Sequence, residues 1–317
     1  MSYIAGSYNG IEDVVIDDVK EITGNKAKKV KNGRVEFDCK DINGFVKKVR
    51  SVSFVYDLVG SFKFKDLNEL ARKSSKLDYS FIRKDFVVRC RREGQHDFSR
   101  IDVEQAVGEV IFKKEHVVNL KSSDIIVADI IDNDCFIGKL VKEDMHKRDY
   151  RVKINKQGLN SCVAYALLKI AGWKKENSLL DPNCRDGVIL IEAGLIGGKK
   201  LYGMEISKQN FISAGMNAQL AKVDVKLYDK EIFHMGELFK DVDYVITYLP
   251  AESNSVSKNF VNRLYGEFFG NVKNVVNKRT LVLVLDDSLL KDYLQHFKII
   301  ERRVISAGND YIAYVLE

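Results

Sequence analysis

Proline is almost absent from this 317-residue sequence, although the chain is long enough for two or three domains. Only Pro182 and Pro250 occur, and both come directly after apolar runs that are typical of β-strands. Because proline fixes φ and cannot donate a backbone hydrogen bond, its position after a strand favours a rigid turn. The sequence therefore predicts two rigid turns at two strand ends.

Paired cysteines and long apolar runs are also missing. The five cysteines are scattered without paired spacing, which favours reduced, buried thiols and argues against a disulfide framework or a zinc site. No apolar stretch approaches the roughly 20 residues of a membrane span, and the N-terminus lacks the basic and apolar regions of a secretory signal. We therefore expect a cytoplasmic protein that binds no metal and no membrane.

A strong charge of one sign is lacking too. The net charge is +6, from 51 Lys and Arg against 45 Asp and Glu. Residues 1–160 carry 31 basic against 26 acidic side chains, and residues 161–317 carry 20 against 19. The excess therefore lies in the N-terminal half, but it is too small to identify a partner by itself.

The first 142 residues alternate strand-like and helix-like patterns, which predicts an α+β region. Ser99 is a suitable N-cap for the second of two helices. The predicted strands are Val30–Phe37, Val52–Val59, Asp85–Arg92, Val117–Leu120, Ile125–Ile131 and Cys135–Leu140. The predicted helices are Phe64–Ser74 and Ile101–Lys113.

The pattern changes after a charged connector at residues 143–157. From about residue 158, strands and helices alternate regularly, which predicts an α/β fold with a doubly wound, mostly parallel sheet. The predicted strands are Ser178–Asp181, Lys200–Glu205, Asp224–Tyr228, Asp243–Thr247 and Thr280–Leu285, then a hairpin of Phe297–Val304 and Asp310–Leu316. The predicted helices are Ser161–Ala171, Gly187–Leu195, Lys208–Leu220 and Ser257–Phe269.

One strand–turn–helix segment has the features of a ligand-binding loop. It runs from Asp181 to Gly187 and contains the first of the two prolines. In open α/β sheets, ligands bind beyond the carboxyl ends of the strands. The Asp181 carboxylate suits a positively charged ligand, and Gly187 allows a close approach of the backbone. Glu205, at the end of the next strand, suits a hydrogen bond to ribose hydroxyls.

Four segments together resemble the THUMP-containing RNA methyltransferases, especially the archaeal-type tRNA guanine-N2 enzymes. Asp181-Pro-Asn-Cys-Arg-Asp-Gly-Val-Ile-Leu-Ile-Glu-Ala193 is similar to their first motif, usually Asp-Pro-Phe-Cys-Gly-Ser-Gly-Thr and an apolar helix. Tyr202–Glu205 is similar to the second motif. His146–Arg151 is similar to the segment that joins the RNA-binding and catalytic parts, and Leu159–Trp173 to the following helix. The resemblance covers roughly residues 60–317.

The resemblance implies a seven-stranded, mostly parallel Rossmann-like methyltransferase domain that uses S-adenosylmethionine. The family's Gly-Ser-Gly core is Arg185-Asp186-Gly187 here, so side chains enter space near the cofactor's methionine end. The alternative is a helix-capping turn without a ligand. His234 or Glu237 could replace a family acidic residue that contacts the adenine amine. The candidate cofactor-binding residues are Asp181, Asn183, Arg185, Gly187, Glu205 and His234.

The second proline lies where the family carries Asn/Asp-Pro/Leu-Pro-Tyr/Phe. There, a side-chain oxygen and a backbone carbonyl accept hydrogens from an exocyclic amine of an extruded base, and an aromatic residue stacks on that base. The corresponding residues here are Tyr248, Leu249 and Pro250, which become the catalytic candidates, followed by Ala251 at the stacking position. Tyr248 could stack on a base or plug the pocket, and Glu252 is an alternative acceptor.

The basic strand Lys84–Arg92 with the helix at Asp102–Gly108 resembles the THUMP core, which holds the tRNA acceptor end in the family. Guanidinium groups pair with phosphates, and an aromatic ring can stack on an unpaired base. A basic strand can equally be only a solvated face, and the connector arginines can form salt bridges between domains. The candidate RNA-binding residues are Arg89, Arg91, Arg92, Phe98, Lys147, Arg148 and Arg151.

The resemblance also implies a domain order. We expect a ferredoxin-like domain at residues 1–60, a THUMP domain at 61–142, a linker at 143–157 and the methyltransferase domain at 158–317. The leading hypothesis is a monomeric enzyme that methylates an amino nitrogen of a tRNA base, by analogy guanine N2. A catalytically inactive RNA-binding protein is the alternative, and the N-terminal half argues against a third, a DNA or other amino methyltransferase.

Overall fold

The computed structural model describes residues 1–154, 158–253 and 256–317, so residues 155–157 of the predicted linker lie outside it. Two compact units are present. The first comprises residues 1–6 and 16–145, and the second comprises residues 7–15 and 146–317. Within the described part of the chain, no helix has the length and apolar character needed to cross a bilayer.

The first unit is built on an eight-stranded sheet with the order β2-β3-β1-β4-β8-β7-β5-β6. Its strands are β1 (Ser2–Gly6), β2 (Ala27–Lys31), β3 (Arg34–Asp38), β4 (Phe54–Lys63), β5 (Asp85–Glu93), β6 (Val117–Val118), β7 (Ile125–Ile131) and β8 (Asp134–Lys142). Its helices are the end of α1 (Glu12–Thr23), α2 (Ile42–Lys48), α3 (Leu67–Ser74) and α4 (Arg100–Phe112). Ser99 caps α4 by accepting a hydrogen bond from the Asp102 backbone, as its position predicts.

The predicted boundary at residue 60 falls inside β4. This ten-residue strand pairs with β1 through Tyr3↔Asp57 and with β8 through Phe62↔Cys135, both antiparallel. The N-terminal segment and the predicted THUMP segment therefore contribute strands to one continuous sheet.

The predicted strand Val30–Phe37 is wrong, because two strands occupy this segment. β2 and β3 form a hairpin that turns at Asn32 and Gly33, with Gly33 at φ 66°. Asn-Gly is the strongest short signal for a tight hairpin turn, since both residues tolerate positive φ. The Asn-Gly pair was visible in the sequence, but the apolar residues that alternate on either side of it favoured the interpretation of the whole segment as one strand.

A buried ionic cluster joins four strands of this sheet. Arg34 on β3 donates from Nε and Nη2 to the two carboxylate oxygens of Asp129 on β7, at 2.5 and 2.9 Å. The Tyr56 hydroxyl donates to the same carboxylate at 3.1 Å, and Arg34 Nη2 reaches Glu93 at 2.8 Å. The side chains of Arg34 and Asp129 are 3% and 0% exposed. Because neither charge is solvated by water, each depends on the other.

The second unit contains a seven-stranded sheet with the order β11-β10-β9-β12-β13-β15-β14, of which the first five strands are parallel and the last two form an antiparallel hairpin. This confirms the predicted Rossmann-like architecture. Its strands are β9 (Leu179–Asp181), β10 (Leu201–Met204), β11 (Lys226–Tyr228), β12 (Val242–Tyr248), β13 (Val276–Val284), β14 (Ile299–Ser306) and β15 (Asp310–Leu316). Its helices are α5 (Ser161–Ile170), α6 (Val188–Leu195), α7 (Lys208–Ala221), α8 (Met235–Leu238), α9 (Lys258–Val275) and α10 (Lys291–Leu294).

Both faces of this sheet are buried at its central strands β9 and β12, where apolar residues predominate. Leu179 belongs to a core with residues of α5 and α6, and the next residue, Leu180, to a core with residues of α9. The same alternation places Ile246 in the first core and Val245 in the second. The two cores fix the central strands β9 and β12, whose carboxyl ends carry the candidate site.

Replacing Arg34 with Ala should destabilise the first unit by about 3–5 kcal/mol, because the Asp129 charge would stay buried without its partner. Hydrogen exchange of β3 and β7 in increasing urea would measure this loss. Arg72→Ala is the matched control, since Arg72 is an exposed arginine paired with Glu69 and should contribute less than about 1 kcal/mol. Equal losses in the two variants would contradict a stabilising role for the cluster.

Candidate functional site

The candidate site lies where the strand order of the second sheet reverses. β9 pairs with β10 on one side and with β12 on the other, so the chain winds in opposite directions from this point. In open α/β sheets, the crevice outside the carboxyl ends of two such strands is the usual ligand site. β9 ends at Asp181 and β12 at Tyr248, and we call the space beyond them the β9–β12 crevice.

The loop between β9 and α6 is held by backbone hydrogen bonds and two left-handed residues. The Cys184 N–H donates to the Met204 carbonyl at 3.0 Å, and the Gly187 N–H to the Cys184 carbonyl at 2.7 Å. Gly187 has φ 81° and Arg185 has φ 50°. Glycine adopts this conformation at no steric cost, whereas a side chain strains it. The turn predicted between Asp181 and Gly187 is therefore present, with one strained residue in its middle.

Asp181 is a buried carboxyl at the floor of the crevice. Its Oδ1 accepts the Thr247 hydroxyl at 2.8 Å and the Asn183 N–H at 3.1 Å. Burial raises the pKa of Asp181 to about 7, and the two hydrogen bonds and the charge of Arg185 oppose that rise. The group therefore titrates near neutral pH, and when ionised it gives the crevice a negative charge.

Glu205 follows β10 and connects the loop to the next helix. Its Oε2 accepts the Arg185 N–H at 3.0 Å, and its Oε1 accepts the Ser207 N–H at 2.7 Å. Ser207 is the N-cap of α7. Each carboxylate oxygen keeps a second lone pair, so Glu205 can still accept a ribose hydroxyl. Glu205 therefore keeps the acceptor capacity that a ribose hydroxyl of a nucleoside cofactor needs.

The other half of the crevice is covered by Arg185. Its guanidinium carbon lies 4.1 Å from the centre of the Tyr248 ring, and the two residues are only 8% and 7% exposed. The Tyr311 ring packs edge-on against Tyr248 at 5.5 Å, and Asn183 Nδ2 donates to the Tyr248 carbonyl at 2.7 Å. Asn183, Arg185 and Tyr248 are thus brought together, but in an arrangement that leaves no fit for a methionyl group between Arg185 and Tyr248.

The end of β12 forms a rigid edge beside a polar pocket. Leu249 is fully buried and its N–H donates to the Leu283 carbonyl, while the Pro250 carbonyl accepts the Tyr265 hydroxyl at 2.9 Å. Reasoning from the sequence missed Asp286, which follows β13. Its acidic character at a neighbouring strand end was the available signal. The pocket is lined by Ala251, Glu252, Lys258, Val261, Tyr265, Asp286, Ser288 and Leu289.

His234 lies outside this arrangement of side chains. It precedes α8, and its Nδ1 is 3.0 Å from Glu237 Oε2, with both side chains well exposed. The two residues proposed as alternatives for an adenine contact therefore pair with each other.

Two connector arginines predicted to bind RNA are buried in ion pairs of the second unit. Arg148 Nε donates to Glu192 Oε1 at 3.0 Å, and the Tyr150 hydroxyl donates to the same oxygen at 2.8 Å. Arg151 pairs with Asp186 at 2.8 Å, and both acidic side chains are fully buried. These arginines attach the connector to α6 and to the loop before it through ion pairs within the second unit, and their own side chains are largely buried. Lys147, just before them, is exposed.

The basic strand of the first unit is more accessible. Arg89 is half-exposed, with Nη2 donating to the Leu120 carbonyl at 3.3 Å. Arg91 stacks over Phe54 at 3.9 Å and pairs with Glu143. Arg92 lies 5.9 Å from the Phe98 ring, which also packs against Phe64 and His96. Arg89 thus has the most exposed side chain of the three arginines. The Phe98 ring packs partly against the hydrophobic core of the first unit.

Two known protein families match segments of this chain. The family described as RMKL-like, methyltransferase domain, matches residues 148–310, just over half of the chain. The chain belongs to this methyltransferase family. The THUMP domain family matches residues 63–140. The recognition of a THUMP-containing methyltransferase from its motifs is therefore confirmed.

Similar proteins extend the match over most of the chain. A tRNA (guanine(6)-N2)-methyltransferase of Archaeoglobus fulgidus is 27% identical, covering 87% of this chain and 80% of the relative. One of Methanocaldococcus jannaschii is 25% identical, covering 71% and 74%. The crystal structure of TrmN from Thermus thermophilus has a TM-score of 0.83 at 23% identity, covering 100% and 99% of the two chains. At these identities, the structural likeness establishes the shared fold.

Asp181→Asn tests the raised pKa. Because the pKa of Asp181 is higher in the folded than in the unfolded state, ionisation of Asp181 lowers the free energy of unfolding. The stabilising contribution of the protonated carboxyl is therefore complete below about pH 4 and is lost as pH rises through about 7. From pH 4 to pH 8, the wild type should lose roughly 2–4 kcal/mol relative to Asp181→Asn. Urea unfolding followed by fluorescence of Trp173, the only tryptophan, reports on this unit.

Asp287→Asn is the control of opposite sign. The Tyr314 hydroxyl and Arg302 lower the pKa of Asp287, so its contribution is present at neutral pH and is lost as pH falls. A difference between wild type and Asp181→Asn that did not change with pH would show that Asp181 is ionised throughout the range.

Proposed function

We propose that this protein is an S-adenosylmethionine-dependent tRNA methyltransferase that acts on an exocyclic amine, by similarity guanine N2. The observation that carries the proposal is the extent of the match. Relatives named tRNA (guanine(6)-N2)-methyltransferase align over both the THUMP segment and the methyltransferase segment of this chain. A match restricted to the methyltransferase segment would support S-adenosylmethionine as the cofactor but would not support RNA as the substrate.

The retained half of the β9–β12 crevice supports cofactor binding. Glu205 offers carboxylate oxygens to ribose hydroxyls, and the left-handed Gly187 lets the backbone approach a ligand before α6 begins. Asp181 supplies negative charge that suits a cationic ligand. A relative of the same fold, SMU.472, was crystallised with S-adenosylhomocysteine, with a TM-score of 0.83 at 18% identity. The cofactor would supply the methyl group.

The pocket beside Pro250 supports an amine as the target. An exocyclic amine gains nucleophilic character when oxygen atoms accept its hydrogens, and Glu252 and Asp286 both line this pocket. Ala251 leaves room where a larger side chain would stand. We propose that an extruded base enters here and that one of these carboxylates accepts from its amino group.

The first unit supplies the RNA contacts in this proposal. Residues 61–142 would hold the acceptor end of tRNA through Arg89 and its neighbours, and residues 158–317 would carry out the transfer. The boundaries at residues 60, 142 and 157, the monomeric state and the cytoplasmic location remain predictions from the sequence.

A second candidate function is tRNA binding without methyl transfer. The Arg185–Tyr248 contact favours it, because Arg185 covers the crevice where a methionyl group would lie. Tyr248 also stands where related enzymes carry a short acceptor side chain. Transfer of labelled methyl from S-adenosylmethionine to unmodified tRNA decides between the two functions. Transfer supports the enzyme, whereas tRNA binding without transfer supports the second candidate.

Arg89→Glu should weaken tRNA binding roughly tenfold and reduce the salt dependence of the affinity by about one unit of slope, because one phosphate contact is lost. Filter binding over a range of salt concentrations measures both quantities. Arg72→Glu makes the same charge reversal on the exposed surface of α3 and should leave the affinity within about twofold. Equal effects of the two variants would remove Arg89 from the RNA-binding surface.

Asp286→Asn should lower methyl transfer by roughly 100-fold while tRNA affinity stays unchanged, because the amide loses the charge that attracts the amine hydrogens. Single-turnover transfer and filter binding separate the two effects. Asp292→Asn, on the short helix α10, is the control. Unchanged transfer in Asp286→Asn would exclude Asp286 as the acceptor.

A further inference from the structure

Arg185 occupies a backbone conformation that a side chain adopts only at a cost. Its φ of 50° lies in the left-handed region, where a Cβ comes too close to the following carbonyl oxygen and destabilises the residue relative to its usual conformation. The bond from its N–H to Glu205 fixes this conformation at 3.0 Å. A residue keeps such a strained conformation only where several surrounding contacts hold it in place, and such residues are common at ligand sites.

The strained backbone directs the side chain across the β9–β12 crevice. The guanidinium stacks on the Tyr248 ring at 4.1 Å, and only 8% of Arg185 is exposed. Tyr248 is itself held from behind by the edge-on ring of Tyr311. A planar guanidinium on an aromatic face is a favourable contact, and its burial strengthens it. The loop after β9 and the end of β12 are thus joined across the crevice.

The contact also determines the charge of the crevice. Asp181 and Glu205 bring negative charge to it, and the Arg185 guanidinium places a permanent positive charge beside them. A sulfonium ligand carries its own positive charge to the same place. Two cations compete there for the same carboxylates and for the face of the same aromatic ring.

We propose that the Arg185 side chain is an internal competitor of S-adenosylmethionine, so that the ligand's methionyl end enters the crevice only when the guanidinium leaves Tyr248. This inference rests on the proposed function, since it concerns the cofactor site of that function. The ligand's affinity is reduced by the free energy needed to displace Arg185. S-adenosylhomocysteine, which lacks the sulfonium charge, is hindered less than S-adenosylmethionine.

Isothermal titration calorimetry of the full chain with S-adenosylmethionine tests this proposal. Arg185→Gly removes the competing side chain and suits the left-handed backbone, so the variant should fold. We expect at least tenfold tighter binding of S-adenosylmethionine than in the wild type, and a smaller gain for S-adenosylhomocysteine. Urea unfolding followed by Trp173 fluorescence verifies that the second unit is folded.

Lys222→Gly is the matched control. Lys222 has φ 57° and ends α7, so this change relieves a similar backbone strain without touching the loop after β9. Its affinity for S-adenosylmethionine should equal that of the wild type. A similar gain in Lys222→Gly would attribute the effect to general relaxation of the unit and overturn the proposal.

Weaker binding in Arg185→Gly than in the wild type would overturn the proposal, because Arg185 would then hold the ligand. Equal binding, or no binding to either protein at millimolar ligand, would overturn it as well. The proposed function is judged separately by methyl transfer to tRNA. Transfer by the wild type with no gain in Arg185→Gly rejects only the inference, and tighter binding without transfer by either protein rejects only the function.

Discussion

The Glu205 carboxylate organises the candidate site. Its two oxygens hold the N–H of Arg185 and the N–H of Ser207, so one side chain fixes the conformation of the loop after β9 and the start of α7. The first of these bonds holds Arg185 in its left-handed conformation, and the Arg185 guanidinium stacks on Tyr248. A carboxylate suited to a ribose therefore also positions the group that covers the neighbouring part of the crevice.

The order of strands, turns and helices in the second unit could be predicted from the sequence because both faces of its central strands are buried. Continuous apolar runs mark the central strands, and Pro182 and Pro250 mark the turns after β9 and β12. The loop and the end of β12 meet because parallel strands bring their carboxyl ends to one edge. The pattern therefore predicted that these two segments lie together at one edge of the sheet.

The partners of the basic side chains could not be predicted in the same way. Arg148 and Arg151 were candidates both for an RNA-binding surface and for salt bridges between domains, because a basic run in the sequence does not show which groups its side chains face. Their acidic partners lie 44 and 35 residues away. A signal existed, since Glu192 stands in an apolar helix and a buried carboxylate needs a cation. The stacking of Arg185 on Tyr248 depends on a tertiary distance, and no local pattern contains it.

The continuity of β4 has a consequence for synthesis of the chain. One edge of β4 is covered by β1, which precedes it, but the other is covered by β8, which ends at Lys142. When β4 leaves the ribosome, about 80 further residues must be translated before that second edge finds its partner, several seconds at ordinary translation rates. An unpaired strand edge recruits other strands. The nascent N-terminal half is therefore open to mispairing until β8 emerges, whatever the stability of the finished sheet.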